Sequence, residues 1–194
     1  MRLSARSSGA LIHDDGPRVA DVCDLLDCIG HKPRILHPHV RPISGRALAG
    51  PAYTIEMRQC TQINEEFYEA GLAALPAIPP TSVVVIATRD ATICSCWGGN
   101  LSAAARACGA VGVVTDGLVR DVNEIESVGF AAFAAGTSPL CSRGRLNIAS
   151  TLVPVRCGGV RVAPGDTVVG DRDGVVSIPA GLWKDLRDAG SRST

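Results

Sequence analysis

Two short segments of this chain carry residue types that can do chemistry together. Gly98-Gly99-Asn100-Leu101 opens a helix-like run, and Arg120-Asp121 follows the apolar stretch Val111-Gly-Val-Val-Thr115 and the turn at Gly117. At a helix start the first N–H groups lack partners and the dipole is positive, so the glycine segment suits an anionic carboxylate. The planar fork of Arg120 can clamp a carboxylate or stabilise an enolate oxygen. Asp121 suits a magnesium-like ion, which takes one or two protein carboxylates and keeps its waters. The pairing reads as metal-assisted chemistry on an oxo-acid. Spacing alone leaves a structural alternative open. Asp121-x-x-Glu124 is also a capping-box pattern, worth roughly 1 kcal/mol to a helix, and a Gly-Gly pair also makes an ordinary tight turn.

Other chemistry-bearing residues point elsewhere. Asp171 and Asp173 lie in an Asp-Arg-Asp-Gly turn, where aspartates bond their own backbone, and are read as structural. Cys94-x-Cys96 and His37-Pro38-His39 offer zinc-type donors, but at spacings unlike those of the common structural sites. No serine or cysteine stands in a nucleophile motif, which leaves covalent acyl transfer without support. Eight scattered cysteines read as mostly reduced and buried.

Composition narrows the partners. Nineteen basic residues balance nineteen acidic ones with no basic run, and aromatics make up 4% of the chain, which disfavours direct nucleic-acid binding. The first sixteen residues lack the apolar stretch of a signal peptide, and no segment is long and apolar enough for a bilayer, so a cytoplasmic protein without a membrane partner is expected. An apolar content of 46% over 194 residues is enough for one buried core.

The elements that must hold these residues follow from periodicity. Val19, Val22, Cys23, Leu26 and Ile29 have helical spacing, with Gly30 as a stop. Pro33 to Pro51 reads as a loop, and Ala52–Met57 alternates like a strand. Asn64–Leu75 is helix-like. Ser82–Ala87 has the composition of a strand covered on both faces. Leu101, Ala104, Ala105 and Cys108 share one face of a helix. A strand over Val111–Thr115, a short helix to Val128 stopped by Gly129, and a strand over Phe130–Ala134 come next. The last third, with segments around Val153–Val155, Gly158–Val162, Thr167–Val169 and Val175–Ile178, reads as antiparallel β-structure closed by a helix from Ala180 to Ala189. The fold class is α/β, a central mixed sheet flanked by helices with a β-rich C-terminal third.

Gly50-Pro51-Ala52, Trp97-Gly98, Ala104-Ala-Arg-Ala107, Gly109-Ala-Val-Gly-Val-Val114, Asp116-Gly117, Val119-Arg-Asp-Val122, Gly129-Phe130, Cys157-Gly-Gly-Val160, Pro164-Gly-Asp166 and Asp171-x-Asp-Gly-Val175 together resemble the class II 4-hydroxy-4-methyl-2-oxoglutarate aldolases. That RraA-like family also includes a regulator of ribonuclease activity. The resemblance runs from about Val19 to Pro179. A single domain is expected over residues 19–189, after a flexible segment at 1–18, and the Ser/Arg-containing tail at 190–194 reads as frayed. The resemblance implies a homotrimer or homohexamer with sites at subunit contacts and a Mg2+ or Mn2+ cofactor. The implied reaction is cleavage of 4-hydroxy-2-oxo acids, of the 4-hydroxy-4-methyl-2-oxoglutarate or 4-carboxy-4-hydroxy-2-oxoadipate type, to pyruvate, with oxaloacetate decarboxylation alongside. Under it Asp121 anchors the metal, Arg120 stabilises the enolate, and the amides of Asn100 and Leu101, beside Gly98 and Gly99, bind the substrate carboxylate. One position departs from the family signature. Its acid, twenty intervening positions before the Arg-Asp pair, is here Gly99. The alternatives are a non-catalytic ribonuclease-binding regulator, against which the retained Asp121 argues, and a related enolate-forming lyase on another oxo-acid.

Overall fold

No polar residue interrupts Val83–Ala87, so a strand formed there has no face to turn to water. The computed structural model describes residues 17–61 and 77–190, with side chains through Leu186, and buries this strand from both sides. Numbered in chain order, the strands are β1 (Arg34–Ile35), β2 (Arg41–Ser44), β3 (Leu48–Gln59), β4 (Val83–Ala87), β5 (Ser95–Trp97), β6 (Gly112–Thr115), β7 (Leu118–Val119), β8 (Ala131–Ala134), β9 (Gly136–Thr137), β10 (Leu146–Thr151), β11 (Val155–Cys157), β12 (Val160–Val162), β13 (Thr167–Asp171) and β14 (Gly174–Ile178). The helices are α1 (Val19–Cys28), α2 (Gly99–Ala107), α3 (Val122–Ser127) and α4 (Ala180–Gly190). The helix expected at Asn64–Leu75 lies outside the described residues, as do most of the expected N-terminal segment and the last four residues.

The main sheet runs in the order β1-β14-β13-β3-β4-β6-β8-β2, and β10 adds to β3. Strands β3, β4, β6 and β8 are parallel neighbours, and the remaining pairings are antiparallel. The long β3 changes partners along its length. Leu48–Pro51 pair with β13, and from Ala52 onward it pairs with β4. This is how the antiparallel C-terminal strands join the parallel centre. The expected mixed sheet and β-rich last third are both present.

Alternation along β4 sorts the core into two layers. Val84 and Ile86 pack with Tyr53, Trp97, Ala105, Ile125 and Phe130 on the side of α2 and α3. Val83 and Val85 pack with Val114, Phe133, Cys157 and Val168 on the other. A third cluster seats α1 and α4 on β13 and β14 through Val22, Leu26, Val169, Val176 and Leu186. Each fully buried aliphatic side chain stabilises the fold by roughly 1.5–3 kcal/mol.

Three sequence expectations need correction. Pro33–Pro51 is not a continuous loop, because β1 pairs with β14, β2 with β8, and β3 begins at Leu48. These strands are set by distant partners, and Pro42 is tolerated because β2 is the last strand of the sheet. On α2 the buried residues are Gly99, Ser102 and Ala105, whereas Ala104 is exposed. The helix packs by a face of small residues, which an apolar periodicity does not pick out. Of the eight free thiols, three are buried, at Cys94, Cys96 and Cys157, and Cys28 is exposed. Cys28 ends α1 on the side away from Val19, Val22 and Leu26.

Candidate active site

A small three-stranded parallel sheet, β5-β7-β9, builds the site. Ser95 is in register with Leu118 and Trp97 with Val119, so the turns that leave β5 and β7 emerge side by side. Gly98-Gly99 leads from β5 into α2, and Arg120-Asp121 leads from β7 into α3. The Arg120 N–H donates to the Trp97 carbonyl at 3.0 Å and locks the two turns together. Beneath them the Trp97 ring stacks on Phe130, with centroids 6.3 Å apart. The Trp97 indole N–H donates to the Ser102 hydroxyl at 2.8 Å, and Ser102 donates to the Gly98 carbonyl at 3.0 Å. The glycine turn is thus pinned from within the core.

Asp121 stands at the N-cap position of α3, but its side chain makes no capping bond. Its backbone is left-handed, with φ 56° and ψ 45°, a conformation that costs a non-glycine residue energy and is commonly held at functional sites. The carboxylate lies 3.3 Å from Arg120 Nε and accepts a long 3.4 Å bond from the Gly99 N–H. Both the Arg120 and the Asp121 side chains are 38% exposed. The capping-box alternative is therefore not what this aspartate does.

The paired glycines have a steric reason. A Cβ on Gly98 would sit 2.8 Å from Asp121 Oδ2, and one on Gly99 would sit 2.7 Å from the Glu124 Cβ. Glu124, one turn into α3, fills the space in front of Gly99. In the sequence Glu124 stands only as a capping-box partner of Asp121. Its place beside the vacant position 99 shows up when the close approach of α2 and α3 is seen. Asn100 and Leu101 stand in the first turn of α2, whose N–H groups have no acceptors within the helix. The donor set fits a hard divalent ion: an exposed carboxylate not spent on its helix, in a cradle that a Cβ would fill, with a second carboxylate one turn away.

Other candidates are structural or separate. Asp171 accepts from the Asp173 N–H and from the Val19 N–H, each at 2.8 Å, so it closes its own turn and caps α1. Cys94 and Cys96 lie in the core. Burial pushes the Cys96 thiol up to about 12, against a partial offset from the Thr115 hydroxyl at 3.3 Å. They do not meet His37 and His39, whose ligand-forming neighbour is Asp90.

The RraA-like (Aldolase/RraA) family pattern matches residues 19–177. The chain belongs to the RraA-like family. It is 35% identical over 162 residues to a putative 4-hydroxy-4-methyl-2-oxoglutarate aldolase of Albidiferax ferrireducens, covering 79% of this chain and 92% of that one. It is 32% identical over 161 residues to the protein DlpA of Legionella pneumophila, covering 82% of this chain and 26% of DlpA. The chain thus spans about a quarter of DlpA's length, and 60% of that of a putative aldolase from Halalkalibacterium halodurans. Among solved structures, Streptomyces coelicolor RraAS2, described as an unusual member of the RNase ES inhibitor RraA family, superposes with a TM-score of 0.75 at 28% identity, over 89% of this chain and 85% of that one. This RraA-like chain therefore shares its fold with proteins named for an aldolase and proteins named for ribonuclease inhibition.

Proposed function

We propose that this chain is a divalent-metal-dependent class II pyruvate aldolase that cleaves 4-hydroxy-2-oxo acids of the 4-hydroxy-4-methyl-2-oxoglutarate or 4-carboxy-4-hydroxy-2-oxoadipate type, with oxaloacetate decarboxylation alongside. The observation that carries the reading is Asp121: exposed, left-handed, unspent on capping and paired with Arg120. Asp121, with Glu124 near it, would hold a Mg2+ or Mn2+ ion. When bound, that ion supplies Lewis-acid polarisation of the substrate's 2-keto oxygen. Arg120 offsets the negative charge that gathers on the enolate oxygen as the C3–C4 bond breaks. The C4 hydroxyl gives up its proton to solvent water, C4 becomes the carbonyl of the second product, and the bonding pair stays on C3 until a proton from solvent arrives there to give pyruvate. Decarboxylation of oxaloacetate releases carbon dioxide in place of the second carbonyl and reaches the same enolate. The Asn100 and Leu101 amides bind the substrate carboxylate, with Gly98 and Gly99 keeping the approach open. Glu124 takes over the place that the signature acid leaves empty at Gly99. The protein is read as a cytoplasmic homotrimer or homohexamer; no described helix is long and apolar enough to cross a membrane.

Likeness to RraAS2 and to the RNA-processing inhibitor RraA of Thermus, the latter at 26% identity and a TM-score of 0.66, supports a second reading as a ribonuclease-binding regulator. The deciding measurement is pyruvate release from oxaloacetate and 4-hydroxy-4-methyl-2-oxoglutarate, with Mg2+ or Mn2+ and again after EDTA. Turnover that EDTA abolishes and added metal restores is expected. No turnover on either substrate favours the regulator or a lyase for another oxo-acid.

A further inference from the structure

Away from the Arg120–Asp121 turn, the loops after β1, β4 and β11 converge on a cleft of about 570 Å³ lined in part by His37, Glu56, Asp90, Asp116 and Arg156. His37 and Asp90 line this cleft, and together with His39 each offers one ligand atom, the three atoms lying within 4.8 Å of one another. We propose that these residues form a second metal site, for a zinc-class divalent ion, chemically distinct from the oxygen-donor site at Asp121.

The donor types set the class of ion. Two imidazoles and one carboxylate suit zinc and its first-row neighbours, whereas magnesium takes oxygen ligands and retains water. A three-ligand set leaves positions open for water or for a ligand in the cleft. The His39–Asp90 spacing is an ion-pair distance that also leaves room for an ion between the donors. His39 Nε2 and Asp90 Oδ1 are 3.8 Å apart, too long for a hydrogen bond. Donors around a tetrahedral zinc, each at roughly 2.0–2.1 Å, stand about 3.3 Å from one another. The His39 and Asp90 side chains are 45% and 56% exposed, so small rotations close that gap.

The backbone holds the three residues where an accidental surface cluster would drift. Leu36 and Val40, both buried, anchor the histidine turn on either side, and the Val40 N–H donates to the His37 carbonyl at 2.9 Å. The His37 N–H donates to the Gly158 carbonyl at 2.9 Å, and the His37 ring rests on Gly159, where any side chain would collide with it. The two imidazole rings meet edge to face with centroids 5.3 Å apart. Asp90 and its neighbour Arg89 are both left-handed, at φ 58° and 59°. Two consecutive non-glycine residues in that region are a costly arrangement, and here it sets Asp90 opposite the histidines.

The test is titration of the full chain with Co2+ under saturating Mg2+, read by absorption and calorimetry, in the wild type and in His39→Ala, Asp90→Asn and Asp121→Asn. Thermal unfolding of each variant checks that it is folded. The expected result is one Co2+ per chain with visible d–d bands and no sulfur charge-transfer band. That binding should weaken by at least about tenfold in His39→Ala and in Asp90→Asn, and persist in Asp121→Asn. Binding that is lost in Asp121→Asn alone, a thiolate charge-transfer signature, or the absence of binding in the wild type overturns the proposal. None of these outcomes depends on pyruvate turnover, so the two metal readings stand or fall separately.

Discussion

Asp116 and Asp121 lie five positions apart on either side of β7, and the fold uses them in opposite ways. Asp116 is 1% exposed, and each of its oxygens is engaged. Oδ1 accepts from the Thr88 N–H at 2.6 Å and the Thr88 hydroxyl at 3.0 Å, and Oδ2 accepts from the Gly158 N–H at 3.2 Å. It ties the ends of β4 and β6 to the β11–β12 turn. Asp121 is exposed and held in a strained backbone, with its carboxylate tied, among the described residues, to Arg120 and, at long range, to Gly99. A saturated carboxylate holds the scaffold, and an unsaturated one is available for a ligand.

The comparison breaks first at Asp121. Asp121→Asn should lower metal-dependent pyruvate release by about 10³-fold, the order expected when a group that directly organises the reacting charge is removed, while the thermal midpoint stays near the wild-type value. Full turnover in this variant would sink the aldolase reading. Asp116→Ala should do the reverse in kind. It leaves the Thr88 and Gly158 amides without their acceptor and should cost about 3 kcal/mol in denaturant unfolding, at the upper end for hydrogen bonds to a charged group.

Much of this division was hidden in the sequence, for a physical reason. Both aspartates lie in turns after apolar strands, and local pattern could not tell a capping Asp121 from a ligand-binding one. The left-handed backbone that disqualifies the cap follows from how β7 meets α3. The paired parallel strands and both helices flanking the site were legible because Val111–Thr115 and the run from Asn100 carry their own periodicity. Strands β5, β7 and β9, two or three residues each, were not, because they exist only through mutual pairing. Glu124 was legible as a residue and illegible as a neighbour of Gly99, since that contact joins two helices. The same holds for Asp90 beside His37 and His39: the histidines announce themselves as His-Pro-His, and their carboxylate partner arrives from a loop fifty residues on.

Steric exclusion offers a finer test of the open side of the comparison. Gly98 has φ −166°, an extended backbone that any residue adopts, so Gly98→Ala should not strain the chain. Its new Cβ would nevertheless press on Asp121 Oδ2 and on the Arg120 side chain. The expected outcome is a fall of about 10²-fold in turnover, in line with the cost of displacing a catalytic group by about 1 Å, with a stability loss of no more than about 1 kcal/mol, since alanine is a poorer N-cap than glycine. Equal losses of stability and activity would mean that the turn is structural.

The smallest effect concerns the proton on Asp116. Burial pushes its carboxyl above the ordinary range, and the hydrogen bonds from Thr88 and Gly158 pull it partly back. Because its folded value lies above the unfolded value of about 3.9, its stabilising contribution is full below that pH and is lost as pH rises through the raised folded value. Asp116→Asn does not titrate there. The stability of the wild type relative to Asp116→Asn should therefore fall as pH is raised from below about 4 toward 7, measured by urea unfolding of both proteins at matched ionic strength. A difference that instead grows with pH at Asp116 would mean that the three hydrogen bonds from Thr88 and Gly158 outweigh burial and hold the enclosed carboxyl in its charged form.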